Sequence, residues 1–198
     1  ATLDHLGENT TNEEESRRAT DDILRAIEAI QVSGVRANVS IKLTQIGLSL
    51  DEALCAENMR RILCYARERG NFVRIDMEDF GCLERTLALF NQMRSDGLDN
   101  SGIVIQAYLY RSSRDVRSIL ESGGRIRLCK GAYKETPDVA YPAKKDVDAS
   151  YDRLVELLVD GALTAGSPTV SRDGRIPPIA AIASHDPERL AHAKEYAR

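Results

Sequence analysis

The feature that most constrains this chain is an alternation, met six times in order, of a short β-branched apolar run and a longer stretch with helical periodicity. Residues 2–6 precede a charged periodic stretch reaching about residue 33, opened by the capping signature Thr11-Asn12-Glu13-Glu14. Residues 37–44 precede a helix opened by Ser49 with Glu52 and ending before Gly70. In that helix Cys55, Met59, Ile62, Leu63 and Ala66 share one stripe, the pattern of a face that packs against something. The third strand, 72–78, leads to a helix over about 82–95 stopped by Gly97, and the fourth, 103–109, to a helix over about 114–121. The fifth, 125–133, leads through a polar loop to a helix over about 148–163. The last, 179–184, follows a Gly-, Ser- and Pro-rich loop at 165–178 and precedes a helix begun by Asp186-Pro187-Glu188, where proline suits the first turn.

Strands each followed by a helix, with no hairpin signals between them, imply parallel pairing through helical crossovers. A doubly wound sheet would be apolar on both strand faces. Here one face is repeatedly polar. Ser40, Lys42 and Thr44 oppose Val39, Ile41 and Leu43; Arg74, Asp76 and Glu78 oppose Val73, Ile75 and Met77; Arg125, Arg127 and Gly131 oppose Ile126, Leu128 and Lys130. A polar face turned inward, under an outer ring of helices, predicts a (β/α)8 barrel of TIM type with its site at the C-terminal strand ends. Such a barrel needs eight units over typically ~250 residues, so 198 residues carrying six units read as one incomplete barrel domain over 1–198, lacking the last two βα units and a terminal helix. An open six-stranded sheet is the alternative, and it would bury the polar faces under helices.

With 27 Lys plus Arg against 31 Asp plus Glu, intermixed, the chain lacks the basic patch that drives nucleic-acid binding. No apolar run approaches the ~20 residues of a membrane span, and the acidic N-terminus lacks signal-peptide order, so a cytoplasmic protein is expected. Cys55, Cys64, Cys82 and Cys129 form no CxxC pair and read as reduced core thiols. His5, His185 and His192 lack metal-ligand spacing, so no metal is expected. GxGxxG and P-loop motifs are absent.

Lys42, Asp76, Gln106, Arg127 and Ser184-His185 all fall late in their predicted strands, which would gather them at one mouth. Buried charges must satisfy one another or a ligand, which makes such a set a candidate site. Blander readings stay open: Lys42 snorkelling past a rim, Asp76 capping a turn, His185 merely starting a helix, Tyr133 packing on its loop. Gly131 is more pointed, since a glycine at a strand end lets backbone N–H groups approach a ligand.

Six strings in order, LDHLGE at 3–8, VSIKLTQIGL at 39–48, VRIDMED at 73–79, IVIQAYLYR at 103–111, RLCKGAYKE at 127–135 and ASHDP at 183–187, resemble the proline dehydrogenase family, monofunctional bacterial type. The resemblance implies a distorted (β/α)8 barrel that binds FAD, oxidises L-proline to Δ1-pyrroline-5-carboxylate and passes electrons to a quinone. It places the protein in the cytoplasm or peripheral to the inner membrane. By motif, it implies that Lys42 and Tyr133 line the proline site, that Asp76 orders it, and that Arg127 contacts the flavin near its N5 edge. Met77, Gln106, Lys130, Gly131, Ala132, Ser184 and His185 resemble the flavin contacts, and Lys144 a residue near the cofactor's phosphate or adenine end. The family's last helix carries two adjacent arginines for the substrate carboxylate, and the chain ends before it. The stretch alone is therefore expected to bind proline poorly. Two rivals remain: a Schiff-base aldolase using Lys42 or Lys130, and a non-catalytic truncated barrel that binds a partner.

Overall fold

The computed structural model describes residues 1–166 and 169–198; Ser167 and Pro168, in the predicted 165–178 loop, lie outside the described residues. Among the described residues, strands β1 (Thr2–Asp4), β2 (Asn38–Ile41), β3 (Val73–Ile75), β4 (Ser101–Gln106), β5 (Arg125–Cys129) and β6 (Ala180–Ile182) alternate with helices α1 (Glu13–Ser33), α2 (Glu52–Glu68), α3 (Phe80–Ser95), α4 (Ser112–Glu121), α5 (Lys144–Thr164) and α6 (Pro187–Tyr196). The strands are hydrogen-bonded in sequence order, and β1–β2, β2–β3 and β5–β6 pair in parallel. The order of elements is the one the sequence predicts.

Every strand is shorter than predicted, and after β2, β4 and β5 a local cause is visible. Beyond Ile41 the chain enters a 3-10 turn at Thr44–Ile46, and both the N–H and the hydroxyl of Thr44 donate to the buried Glu78 carboxylate. Beyond Gln106, the Ser112 hydroxyl takes the strand's last carbonyl at 2.5 Å and opens α4. Beyond Cys129, Gly131 takes a φ of 128°, which a strand cannot continue.

The helix starts correct two predicted caps and one predicted start. On α1 the cap is Asn12, accepting the Glu15 N–H at 2.9 Å, while the Glu15 carboxylate accepts the N–H and hydroxyl of Thr11 at 2.8 and 2.9 Å. The box is thus displaced one residue, and those Thr11 bonds hold the Glu15 carboxyl below its usual range. On α2 the cap is Asp51, accepting the Leu54 N–H at 2.8 Å, rather than Ser49. Ser49 lies inside the turn in which the Leu50 and Asp51 N–H groups bond the Gly47 carbonyl, two residues before the helix's cap. Helix α5 begins at Lys144, one turn before the predicted start.

The chain divides into two compact units. The first comprises Ala1–Glu78, Cys82–Gly102 and Ser171–Ile176. Its core includes Ile23, Ile27 and Ile30 of α1, Val39 and Ile41 of β2, Val73 and Ile75 of β3, and the full predicted α2 stripe from Cys55 to Ala66, all buried. Part of the long loop whose role the sequence leaves unassigned also belongs here. The Arg175 carbonyl accepts from Asn38 Nδ2 at 2.8 Å, and its guanidinium donates to Gln31 Oε1 at 2.7 Å and the Arg69 carbonyl at 3.0 Å. The second unit comprises Asp79–Gly81, Ile103–Val170 and Pro177–Arg198. There Ile126 and Leu128 of β5, Val116 and Ile119 of α4, and Tyr151, Leu154, Val155 and Leu158 of α5 are buried. Arg125, Arg127 and Cys129 on the opposite face of β5 are half-buried.

All four cysteines are free. Cys55 and Cys82 are core residues as expected, and burial pushes the Cys55 thiol up to about 12. Cys64 and Cys129 are only half-buried, which corrects the expectation of four core thiols: Cys129 belongs to the partly open face of β5 and Cys64 falls outside the α2 stripe.

Replacing Phe72, which is 1% exposed, by Ala should lower the unfolding free energy by about 3–5 kcal/mol, and Asn12→Ala by about 1 kcal/mol. Urea unfolding followed by circular dichroism measures both, and equal effects would contradict this division between core and cap.

Candidate active site

In the first unit the polar residues gather just past β2 and β3. Lys42, one residue beyond β2, sends its ammonium to Asp4 Oδ2 at 3.3 Å and Glu8 Oε1 at 3.7 Å. Asp76, one residue beyond β3, donates its N–H to the Ile41 carbonyl at 2.8 Å and adds to the field on Lys42. Burial works against the ammonium, but Asp4, Asp76 and Glu8 outweigh it and raise the Lys42 pKa. Three carboxylates thus bear on one ammonium. Met77 and Glu78 follow, both buried.

In the second unit the end of β5 is the centre. A cavity of about 340 Å³ is lined by Cys129, Lys130, Gly131 and Ala132 on one side and Ala183, Ser184, His185 and Asp186 on the other. The N–H groups of Ala107 and Tyr108 bond the carbonyls of Cys129 and Lys130 at 2.8 and 2.9 Å, which fixes that segment after the strand. Tyr108 closes it from behind: a Cβ on Gly131 would lie 2.4 Å from its ring. The Tyr108 hydroxyl is buried with no hydrogen-bond partner among the described residues, and burial, ahead of the nearby Glu135, raises its pKa strongly.

The alternation along 125–133 places Lys130 on the apolar side of its strand, and the structure corrects this. Because β5 ends at Cys129, the Lys130 side chain escapes the alternation and pairs with Asp148 and, at 2.6 Å, with Asp186 Oδ2. Lys144, the first residue of α5, pairs with Asp148 on its other oxygen and reaches Asp186 at 3.4 Å. Asp186 also caps α6, accepting the Glu188 N–H at 3.0 Å and the Arg189 N–H at 3.4 Å. Lys130, by hydrogen bonding, is the first cause holding both the Asp148 and the Asp186 carboxyls below their usual range.

The predicted residues thus fall into two sets. Lys42, Asp76 and Met77 belong to the first unit, and Gln106, Arg127, Lys130, Gly131, Ala132, Tyr133, Lys144, Ser184 and His185 to the second. Of the second set, Lys130, Gly131, Ala132, Ser184 and His185 line one cavity, with Lys144 joined through Asp148; Gln106 is buried at the end of β4, while Arg127 on β5 and Tyr133 beyond it are half-buried. Sequence reasoning missed Asp148, Asp186 and Tyr108 as parts of this arrangement. The i,i+4 spacing of Lys144 and Asp148 was the available signal for one of them; nothing in the sequence foretells that Tyr108 packs on Gly131.

The family model described as Proline dehydrogenase matches residues 1–198. The chain belongs to the proline dehydrogenase family. It is 36% identical to Proline dehydrogenase 1 of Bacillus subtilis (strain 168) over 196 residues, 98% of this chain and 59% of that protein. It is 41% identical to a proline dehydrogenase of Deinococcus radiodurans over 157 residues, 77% of this chain and 51% of that protein. The chain therefore spans little more than half the length of these relatives. Among solved structures it is similar to proline utilization A from Bdellovibrio bacteriovorus inactivated by N-propargylglycine, with a TM-score of 0.83 and 25% identity over 99% of this chain and 24% of that one. The fold class is the predicted (β/α)8 type, of which six βα units are present.

The second-unit residues of this proline dehydrogenase family member suit part of a dinucleotide such as FAD. Gly131 keeps backbone next to the cavity free of a side chain, Lys130 brings an ammonium to its lining, and Lys144 is tied to Lys130 through Asp148 and Asp186. Among the described residues no cluster of His, Cys, Asp or Glu is arranged to hold a metal ion.

Gly131→Ala should destabilise the protein by forcing a side chain onto a φ of 128° and into the Tyr108 ring. In a double-mutant cycle by calorimetry, that loss should shrink in a Tyr108→Ala background; an unchanged loss would mean the ring contact plays no part. The depressed Asp148 and Asp186 carboxyls stabilise the fold fully above the unfolded Asp value of about 3.9, and this contribution drains away as pH falls through their native values. Urea midpoints measured below about pH 4 should thus fall less steeply for Lys130→Met than for the wild type.

Proposed function

We propose that the protein containing this chain oxidises L-proline to Δ1-pyrroline-5-carboxylate with bound FAD and delivers the electrons to a quinone met at a membrane surface. The observation that carries this reading is the family match over every residue of the chain, joined to a site whose charges have the sign each ligand needs. Among the described residues no helix is long and apolar enough to cross a membrane.

The Lys130-Gly131-Ala132 segment, Lys144, Ser184 and His185 would hold the cofactor, with Met77, Gln106 and Arg127 against its ring system. When bound, the flavin supplies a hydride acceptor. Arg127 presents a permanent guanidinium where negative charge develops, already oriented by its strand, so little reorganisation is needed as the reaction proceeds. By the resemblance Lys42 and Tyr133 would contact proline, and Asp4, with Asp76 and Glu8, favours the charged form of Lys42 against burial. The net negative charge of the Asp4, Glu8, Asp76 and Lys42 group suits a cationic amine, while the Lys42 ammonium can receive part of the carboxylate.

The raised pKa of Lys42 speaks against the aldolase rival at that residue. A Schiff-base lysine must be neutral to attack a carbonyl, and three carboxylates keep this one protonated.

The full-length protein should carry flavin absorbance and reduce a soluble quinone in a proline-dependent manner, and Arg127→Met should lower kcat by roughly 10²-fold or more. Absence of both flavin and proline-dependent reduction, or a borohydride-trapped adduct at Lys42 with a keto substrate, would overturn the reading.

A further inference from the structure

Asp148 stands apart from the residues that the resemblance assigns. It sits on the second turn of α5, is 8% exposed, and contributes one carboxylate oxygen to Lys130 and the other to Lys144. One of those lysines lines the 340 Å³ cavity, and the other is an exposed side chain on the first residue of α5. Two ammonium ions drawn so close would repel each other without an anion between them. Asp186 reaches both lysines too, but its other oxygen already caps α6, so its position answers to the helix. Arg189 approaches Asp148 at 3.6 Å and also forms an ion pair with Asp152 at 2.9 Å, so the Asp148 carboxylate has cations on several sides.

We propose that Asp148 is a positioning residue that holds Lys130 and Lys144 together as a paired-ammonium site for the diphosphate of the flavin cofactor. The inference rests on the flavin reading above and adds to it a group that does not touch the cofactor. The match is one of arrangement: a diphosphate offers two adjacent anionic phosphoryl groups, and Asp148, with Asp186 beside it, holds two ammonium groups next to each other. Holding each long side chain in place beforehand also removes part of the rotamer entropy that binding would otherwise cost. The opposite outcome is physically conceivable, since the carboxylate's own charge opposes an anion, so the sign of the effect decides the matter.

The experiment is equilibrium binding of FAD and of riboflavin, which lacks the diphosphate, to full-length apoprotein by flavin fluorescence. Asp148→Asn should weaken FAD binding about tenfold or more and leave riboflavin within about twofold, and Asp148→Glu should regain most of the loss. Lys144→Met, a change at an exposed side chain that leaves the fold intact, should weaken FAD selectively as well. A double variant with Lys130→Met should lose less than the sum of the two single losses. FAD affinity that is unchanged or stronger in Asp148→Asn, or a parallel loss of FAD and riboflavin, overturns the proposal while leaving the flavin reading intact. A wild-type protein that binds neither compound overturns both.

Discussion

Ammonium and carboxylate pairs formed just beyond strand ends are the interaction on which the candidate site depends. In the first unit Lys42 follows β2 and meets Asp4, Glu8 and Asp76; in the second Lys130 follows β5 and meets Asp148 and Asp186. A strand end is where a backbone can stop spending its polar groups on neighbouring strands, and where a long side chain leaves the in-and-out alternation of the sheet. Charge placed there is only partly desolvated, so pairing can outweigh the penalty that would neutralise it deeper in the core. The result is a set of paired charges just past the strands, of which Lys130 and Asp186 also line the second unit's cavity.

That logic also explains how much could be read from the residues alone. The order of strands and helices, the buried stripe of α2 and the proline-led start of α6 follow from periodicity and capping, which are local properties of consecutive residues. Strand lengths do not follow in the same way. Thr44 leaves the β2 direction because its donors go to Glu78, 34 residues on, and such a partner is invisible to a window of ten. Lys130 was assigned the wrong face for the same reason: alternation was carried past Cys129 into a segment that is no longer a strand.

The candidate site was legible as a list and illegible as an arrangement. Its cationic members stand in strings that resemble the family, whereas the acids that orient them, Asp148 and Asp186, stand in a helix and at a helix cap where acidic residues are ordinary. Tyr108 illustrates the remaining gap. Its hydrogen-bonded backbone and its ring act together on Gly131, and the intimacy of that contact depends on how two strand ends are aligned in space.

The two compact units are interleaved along the polypeptide: residues 79–81 of one interrupt the other, and residues 171–176 do the reverse. No single scission of the chain can therefore release either unit whole.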